Sequence, residues 1–124
     1  MAAQYPIEKP EIVLRALALA EDLGFAIRPE GNPPQGTGGA SCCIDAVGSL
    51  LKALCATVNA GRVGEIGTGA GVGTAWLASG LQPNATLTSV EIDPHLPRAV
   101  SDLFSDRDDV RLLCGDWRGE FKSC

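Results

Sequence analysis

Histidine is almost missing from the chain: His95 is the only one in 124 residues, and it follows a proline with no ligand-like neighbour. Cysteine supplies no framework either. Cys42 and Cys43 are adjacent, Cys55, Cys114 and Cys124 stand far apart, and no Cys-x-x-Cys pair occurs. A zinc site therefore has no ligand set, and an odd number of thiols without framework spacing predicts reduced, mostly buried cysteines. Basic charge is scarce, with 10 Lys+Arg against 15 Asp+Glu and a net charge of −5. That excludes the basic footprint of a nucleic-acid binder and the polybasic segment that an anionic membrane attracts. No apolar run approaches the length of a spanning helix. The opening "MAAQYPIEKPE" lacks the basic start and long apolar stretch of a signal peptide. These absences together predict a cytoplasmic protein with neither nucleic-acid nor membrane partners.

Glycine, by contrast, is plentiful where it is least expected. The segment 63–80, "VGEIGTGAGVGTAWLASG", holds six glycines, four of them alternating at Gly67, Gly69, Gly71 and Gly73. Each glycine in a regular element costs about 0.5–1 kcal/mol relative to alanine, so the run needs a reason. The surrounding pattern supplies one. Residues 11–23 place Ile12, Val13, Ala16, Leu17, Ala20 and Leu23 at helical spacing, with Pro10 at the start and Gly24 at the stop. Residues 29–41 are Pro, Gly and small polar residues, a loop long enough to act as a lid, with Ser41 able to cap the next helix. That helix, about 42–58, carries Ile44, Val47, Leu51, Leu54, Cys55 and Val58 on one face.

Beyond it the pattern changes to short strands and helices in alternation. Strand 62–67 runs into the glycines and helix 72–80 follows. Strand 86–93 ends in two acids, helix 94–106 starts at a cap on Asp93 or Leu96, and strand 109–117 ends in Gly115 and Asp116. Strand, helix, strand, helix, strand is a βαβαβ unit, and such crossovers imply parallel strands joined right-handedly. In an open sheet of this kind ligands bind at the carboxyl ends of the strands. All three exits are marked: Glu65 and Gly67 at the first, Glu91 and Asp93 at the second, Asp116 at the third. A glycine turn opening a helix lets backbone approach a ligand closely. The string is not a dinucleotide fingerprint, because the third glycine position falls on Val72 or Thr74, and no Gly-Lys-Ser/Thr follows for a phosphate loop.

At these residues the chain resembles the class I S-adenosylmethionine-dependent methyltransferases. "EIGTGAGVGTAWLA" is similar to their first motif, "TLTSVEIDP" to their second strand and "VRLLCGDW" to their third. Within that group it is most similar to the small bacterial O-methyltransferases related to catechol O-methyltransferase. The resemblance implies an α/β fold with a Rossmann-like parallel sheet in strand order 3-2-1, two N-terminal helices, and the C-terminal half of the fold absent. It implies a cap over residues 1–41 and a cofactor-binding half domain over 42–124. The cofactor implied is S-adenosylmethionine, a sulfonium and ammonium cation without phosphate, which suits an acidic loop. The backbone of Gly67, Thr68, Gly69 and Gly71 would face its methionine and ribose. Glu91 would accept both ribose hydroxyls and Ile92 would pack on adenine. Asp116 would accept the adenine amino group with Trp117 beside the ring, and Glu65 would order the loop or the amine end. The acceptor would be a small hydroxylated molecule, and no base is identified among these residues. A divalent metal would belong to a full-length catechol-type relative, since its ligands follow the fourth strand.

Three consequences follow from the resemblance. Gly64 lies in a strand that should be central and buried on both faces, so Trp76 or another bulky group must fill the space. Pro97 blurs the start of its helix. With no fourth strand the first becomes an exposed edge, open to pairing with a second copy of the chain. Two other readings compete with a methyltransferase: a non-catalytic remnant of one, and an NAD(P)-binding oxidoreductase domain.

Overall fold

The computed structural model describes residues 6–25 and 42–121. The loop at 29–41, Ser41 and Cys124 lie outside the described residues. The elements are α1 (Glu11–Asp22), α2 (Asp45–Cys55), β1 (Ala60–Ile66), α3 (Val72–Gly80), β2 (Asn84–Glu91), α4 (Leu96–Ser101), β3 (Val110–Cys114) and α5 (Trp117–Glu120), with a 3-10 turn over Asp102–Phe104 after α4. The three strands form one parallel sheet in the order β1-β2-β3. Ala60 pairs with Asn84 at the start of β1 and Ile66 with Val90 at its end. Leu87 pairs with Val110 and Glu91 with Cys114. The expected fold class and strand order therefore hold.

Helix α3 is the centre of the molecule. Its sequence "VGTAWLASG" is apolar or small all round, and seven of its nine residues are buried. It packs against α1 and α2 on one side and β2 on the other. Val13, Ala16 and Ala20 of α1 lie in the same core as Trp76, Leu87 and Val100. The Arg107 guanidinium donates to the Ala78 carbonyl at 3.0 Å and pairs with Asp109 at 2.7 Å, which fastens the turn before β3 to α3.

Four expectations are corrected or narrowed. Helix α2 buries only part of the predicted face: Cys55 is buried and Leu51 half-buried, whereas Val47 and Leu54 are 44% and 56% exposed and Gly48 is buried instead. The cause is a close helix crossing. A Cβ at Gly48 would lie 2.1 Å from Trp76 Nε1, and one at Gly80 would lie 2.2 Å from the Lys52 carbonyl. These glycines set the contact and rotate Val47, Leu50 and Leu54 toward solvent. Second, of the two alternatives for the space over Gly64 it is the other bulky group, the Phe121 ring 3.6 Å from the Cβ position, while Trp76 fills the space over Gly48. Gly64 itself is exposed, because β1 is an edge strand. Third, α4 starts after His95, which makes no side-chain capping bond, while the Asp93 carboxylate two residues ahead accepts the His95 N–H at 2.9 Å. Fourth, the third strand stops at Cys114, since Asp116 caps the unpredicted α5 by accepting the Arg118 N–H at 2.9 Å.

Candidate functional site

The glycine turn continues β1 directly. The Gly67 N–H donates to the Val90 carbonyl at 2.7 Å, one step beyond the strand. Gly67, Gly69 and Gly71 then take φ values of +88°, +53° and +86°, a region that glycine alone enters without strain. Gly71 is also the residue from which α3 starts. The turn is not filled by its own side chains. Thr68 and Ala70 point inward and are buried, and nothing lies within 4 Å of a Cβ position at Gly67.

Glu91 holds the turn in place. It is 8% exposed, and its Oε2 accepts the Gly69 N–H at 2.8 Å while Oε1 accepts the Asp93 N–H at 3.1 Å. A carboxylate has about four acceptor sites, so both oxygens retain capacity for hydroxyl donors. Around Glu91 lies a cavity of about 170 Å³ lined by Gly67, Ile92, Asp116, Trp117 and Arg118 among others. Glu91 and Asp116, at the ends of different strands, face the same space. Ile92 and Trp117 are 73% and 42% exposed, giving this cavity apolar walls. Arg118 is paired with Asp116 at 3.2 Å and stacks over the Trp117 ring at 5.1 Å.

A second cavity of about 190 Å³ lies on the other side of the turn, lined by Glu65, Gly67, Thr68 and Gly69 together with Phe25, Cys42, Cys43 and Gly73. Gly67 borders both spaces, so the turn is a partition between two compartments of one site. Among the described residues, no Lys or Arg lines the second compartment. Glu65 projects there from β1, its Oε1 accepting the hydroxyls of Ser89, at 2.6 Å, and of Thr74. Burial pushes the Glu65 pKa up, opposed by those two hydrogen bonds and reinforced by the nearby Glu91 charge. Burial also raises the Cys42 and Cys43 thiols, Cys42 additionally through Cys43 and Cys43 through Glu65. Thiols held above their ordinary value stay protonated at neutral pH.

Eight of the nine predicted positions line one compartment or the other. Gly71 does not: a Cβ there would meet Val100 at 3.3 Å, so it faces the core beneath α4 and serves the turn alone. Thr68 contributes backbone, because its side chain turns inward to Ser89 at 2.7 Å. Phe25, Cys42, Cys43, Ser89 and Thr74 escaped sequence reasoning. Ser89 did carry a signal, as a polar residue in the inward register Ala85, Leu87, Ser89, Glu91 of β2, ahead of the exit acid.

No protein-family profile matches the chain. Sequence relatives are clear, however. A protein of Mycobacterium sp. strain KMS, provisionally named an O-methyltransferase, is 34% identical over 106 residues, which are 85% of this chain and 47% of that protein. A protein of Mycolicibacterium vanbaalenii with the same provisional name is 40% identical over 104 residues, 84% of this chain and 39% of that one. Among solved structures, the Bacillus cereus O-methyltransferase in complex with SAH matches with a TM-score of 0.68 at 19% identity, over 94% of this chain and 49% of that one. An O-methyltransferase of Streptomyces achromogenes in complex with SAM matches with a TM-score of 0.64 at 20% identity, covering 89% and 45%. The chain spans about half the length of the curated relatives it matches. In sequence the chain is similar to part of these proteins provisionally named O-methyltransferases, and in fold to about half of the solved O-methyltransferases.

Proposed function

We propose that the chain binds S-adenosylmethionine across the glycine turn and forms the cofactor-holding part of an O-methyltransferase. The observation that carries this is the convergence of Glu91 and Asp116 on one cavity beside a partition of backbone at Gly67. The compartment at Glu91 takes the adenosine: Glu91 accepts from the ribose hydroxyls, Ile92 and Trp117 flank the base, and Asp116 accepts from its amino group. The compartment at Glu65 takes the methionine end. There the ammonium meets a carboxylate that has no cationic partner among the described residues and gains most from receiving one. Charge-assisted contacts of this kind are each worth about 1.5–3 kcal/mol.

The reaction on this reading is an in-line displacement. An oxygen of a small hydroxylated acceptor attacks the methyl carbon, the C–O bond forms as the C–S bond breaks, the hydroxyl proton passes to solvent water, and S-adenosylhomocysteine leaves as a neutral thioether. Its acceleration comes from holding donor and acceptor in line. Among the described residues no group of three His, Cys, Asp or Glu side chains is placed to hold a metal ion, and no step is assigned to one. The side of β1 that has no strand partner among the described residues offers a second copy of the chain a sheet edge to join.

Isothermal titration with S-adenosylmethionine, S-adenosylhomocysteine and NAD tests the reading. Saturable binding of the first two, lowered at least about tenfold by Glu91→Ala, is the expected result. Binding of NAD alone overturns it. Cofactor binding without methyl transfer to any catechol-like acceptor favours the non-catalytic remnant.

A further inference from the structure

Glu65 and Ser89 are direct partners across the parallel β1–β2 ladder, and both side chains point to the layer of α3. Ser89 is 0% exposed, so its hydroxyl has no water to bond. It has two protein partners instead: Glu65 Oε1 at 2.6 Å and Thr68 Oγ1 at 2.7 Å. A serine hydroxyl carries one proton. That proton goes to the carboxylate, so the bond between Ser89 and Thr68 can only run from the Thr68 hydroxyl to Ser89 Oγ. The result is a one-way chain, Thr68 to Ser89 to Glu65, joined at its end by Thr74 from α3. It links β1, β2, α3 and the glycine turn through buried hydroxyls. Neither the first-motif resemblance nor the relatives' names assigns Ser89 a part.

We propose that Ser89 is a positioning residue of the cofactor site, whose buried hydroxyl locks the Glu65 carboxylate and the glycine turn at Thr68 into one geometry. The consequence for binding rests on the function proposed above; the network itself does not. With Oε1 satisfied by two hydroxyls, Oε2 is left over Gly73, 2.8 Å from its Cβ position, on the wall of the second compartment. Removing Ser89 frees the carboxylate to rotate and releases Thr68. Among the described residues, the titratable groups that face Glu65 are Glu91 from β2 and Cys43 from the segment before α2, while α3 presents Thr74 and Gly73. None of these is cationic, so hydrogen bonding is what keeps the charge on Glu65.

Two measurements on the intact chain test this. In the ligand-free protein, a carboxyl-carbon NMR titration of Glu65 should show its pKa higher in Ser89→Ala than in the unaltered chain. The shift should be in the same direction but smaller in Thr68→Val, and Thr68→Val should add nothing in the Ser89→Ala background. In the second, S-adenosylhomocysteine affinity should fall about tenfold in Ser89→Ala and less than about twofold when the same change is made on Glu65→Gln. An unmoved Glu65 titration, or an equal loss of affinity in both backgrounds, overturns the proposal. A merely structural serine would lower stability without moving either readout. Should Ser89→Ala fail to fold, Thr68→Val, which keeps side-chain shape, carries the titration. Failure of the unaltered chain to bind S-adenosylhomocysteine tells against the proposed function, and the titration then decides the network alone.

Discussion

Burial withdraws water from the Glu65 carboxylate more than the hydroxyls of Ser89 and Thr74 replace it, which leaves its pKa raised in the folded chain. An acid raised on folding makes the folded form hold a proton that the unfolded form has released. Stability from this group is therefore greatest below the ordinary carboxylate pKa and is lost as pH rises through the folded value. Glu65→Gln should flatten that loss. Urea unfolding at a series of pH values should show the unaltered chain falling relative to Glu65→Gln from the ordinary carboxylate range upward, and parallel curves would contradict it. The acids at the strand exits were legible in the sequence because a βαβ unit returns every strand end to the same rim. The pairing of Ser89 with Glu65 was not, since it depends on the register between β1 and β2, which no local pattern specifies.

Elements were legible where periodicity was strong and blurred where a neighbour overrode it. Helix α3 occupies the predicted 72–80, because Gly71 opens it and Gly80 ends it. The orientation of α2 was hidden, because a moment drawn from its large apolar residues ignores glycines, and it is Gly48 that meets Trp76. Two substitutions separate the observed rotation from the predicted one. Gly48→Ala drives a methyl into a buried indole and should destabilise the chain by about 1–3 kcal/mol. Leu54→Ser, on an exposed position of the same helix, should change stability by no more than about 0.5 kcal/mol. Thermal or urea melts of the pair decide the matter, and the reverse order would mean that α2 packs through Val47 and Leu54 after all. The short α5 was illegible for a related reason. It is one turn long, capped by Asp116, and its span "WRGE" has no helical periodicity of its own.

At the scale of the molecule, the parallel strands and the rim at their carboxyl ends follow from the alternation of strands and helices read in residues 62–117, and the strand order from the family resemblance. No helix among the described residues is long and apolar enough to cross a membrane. What the alternation could not show is that the rim is divided. Gly67 stands between one compartment walled by Glu91, Asp116 and Trp117 and another walled by Glu65 and Cys43. On the function proposed above, S-adenosylmethionine lays its hydroxylated, aromatic end in the first compartment and its cationic end in the second. Backbone amide NMR during titration with S-adenosylhomocysteine tests this most directly. The amides of Gly67, Gly69, Glu91 and Asp116 should shift together and saturate at one ligand concentration. Shifts confined to a single compartment, or to residues away from the turn, would contradict it.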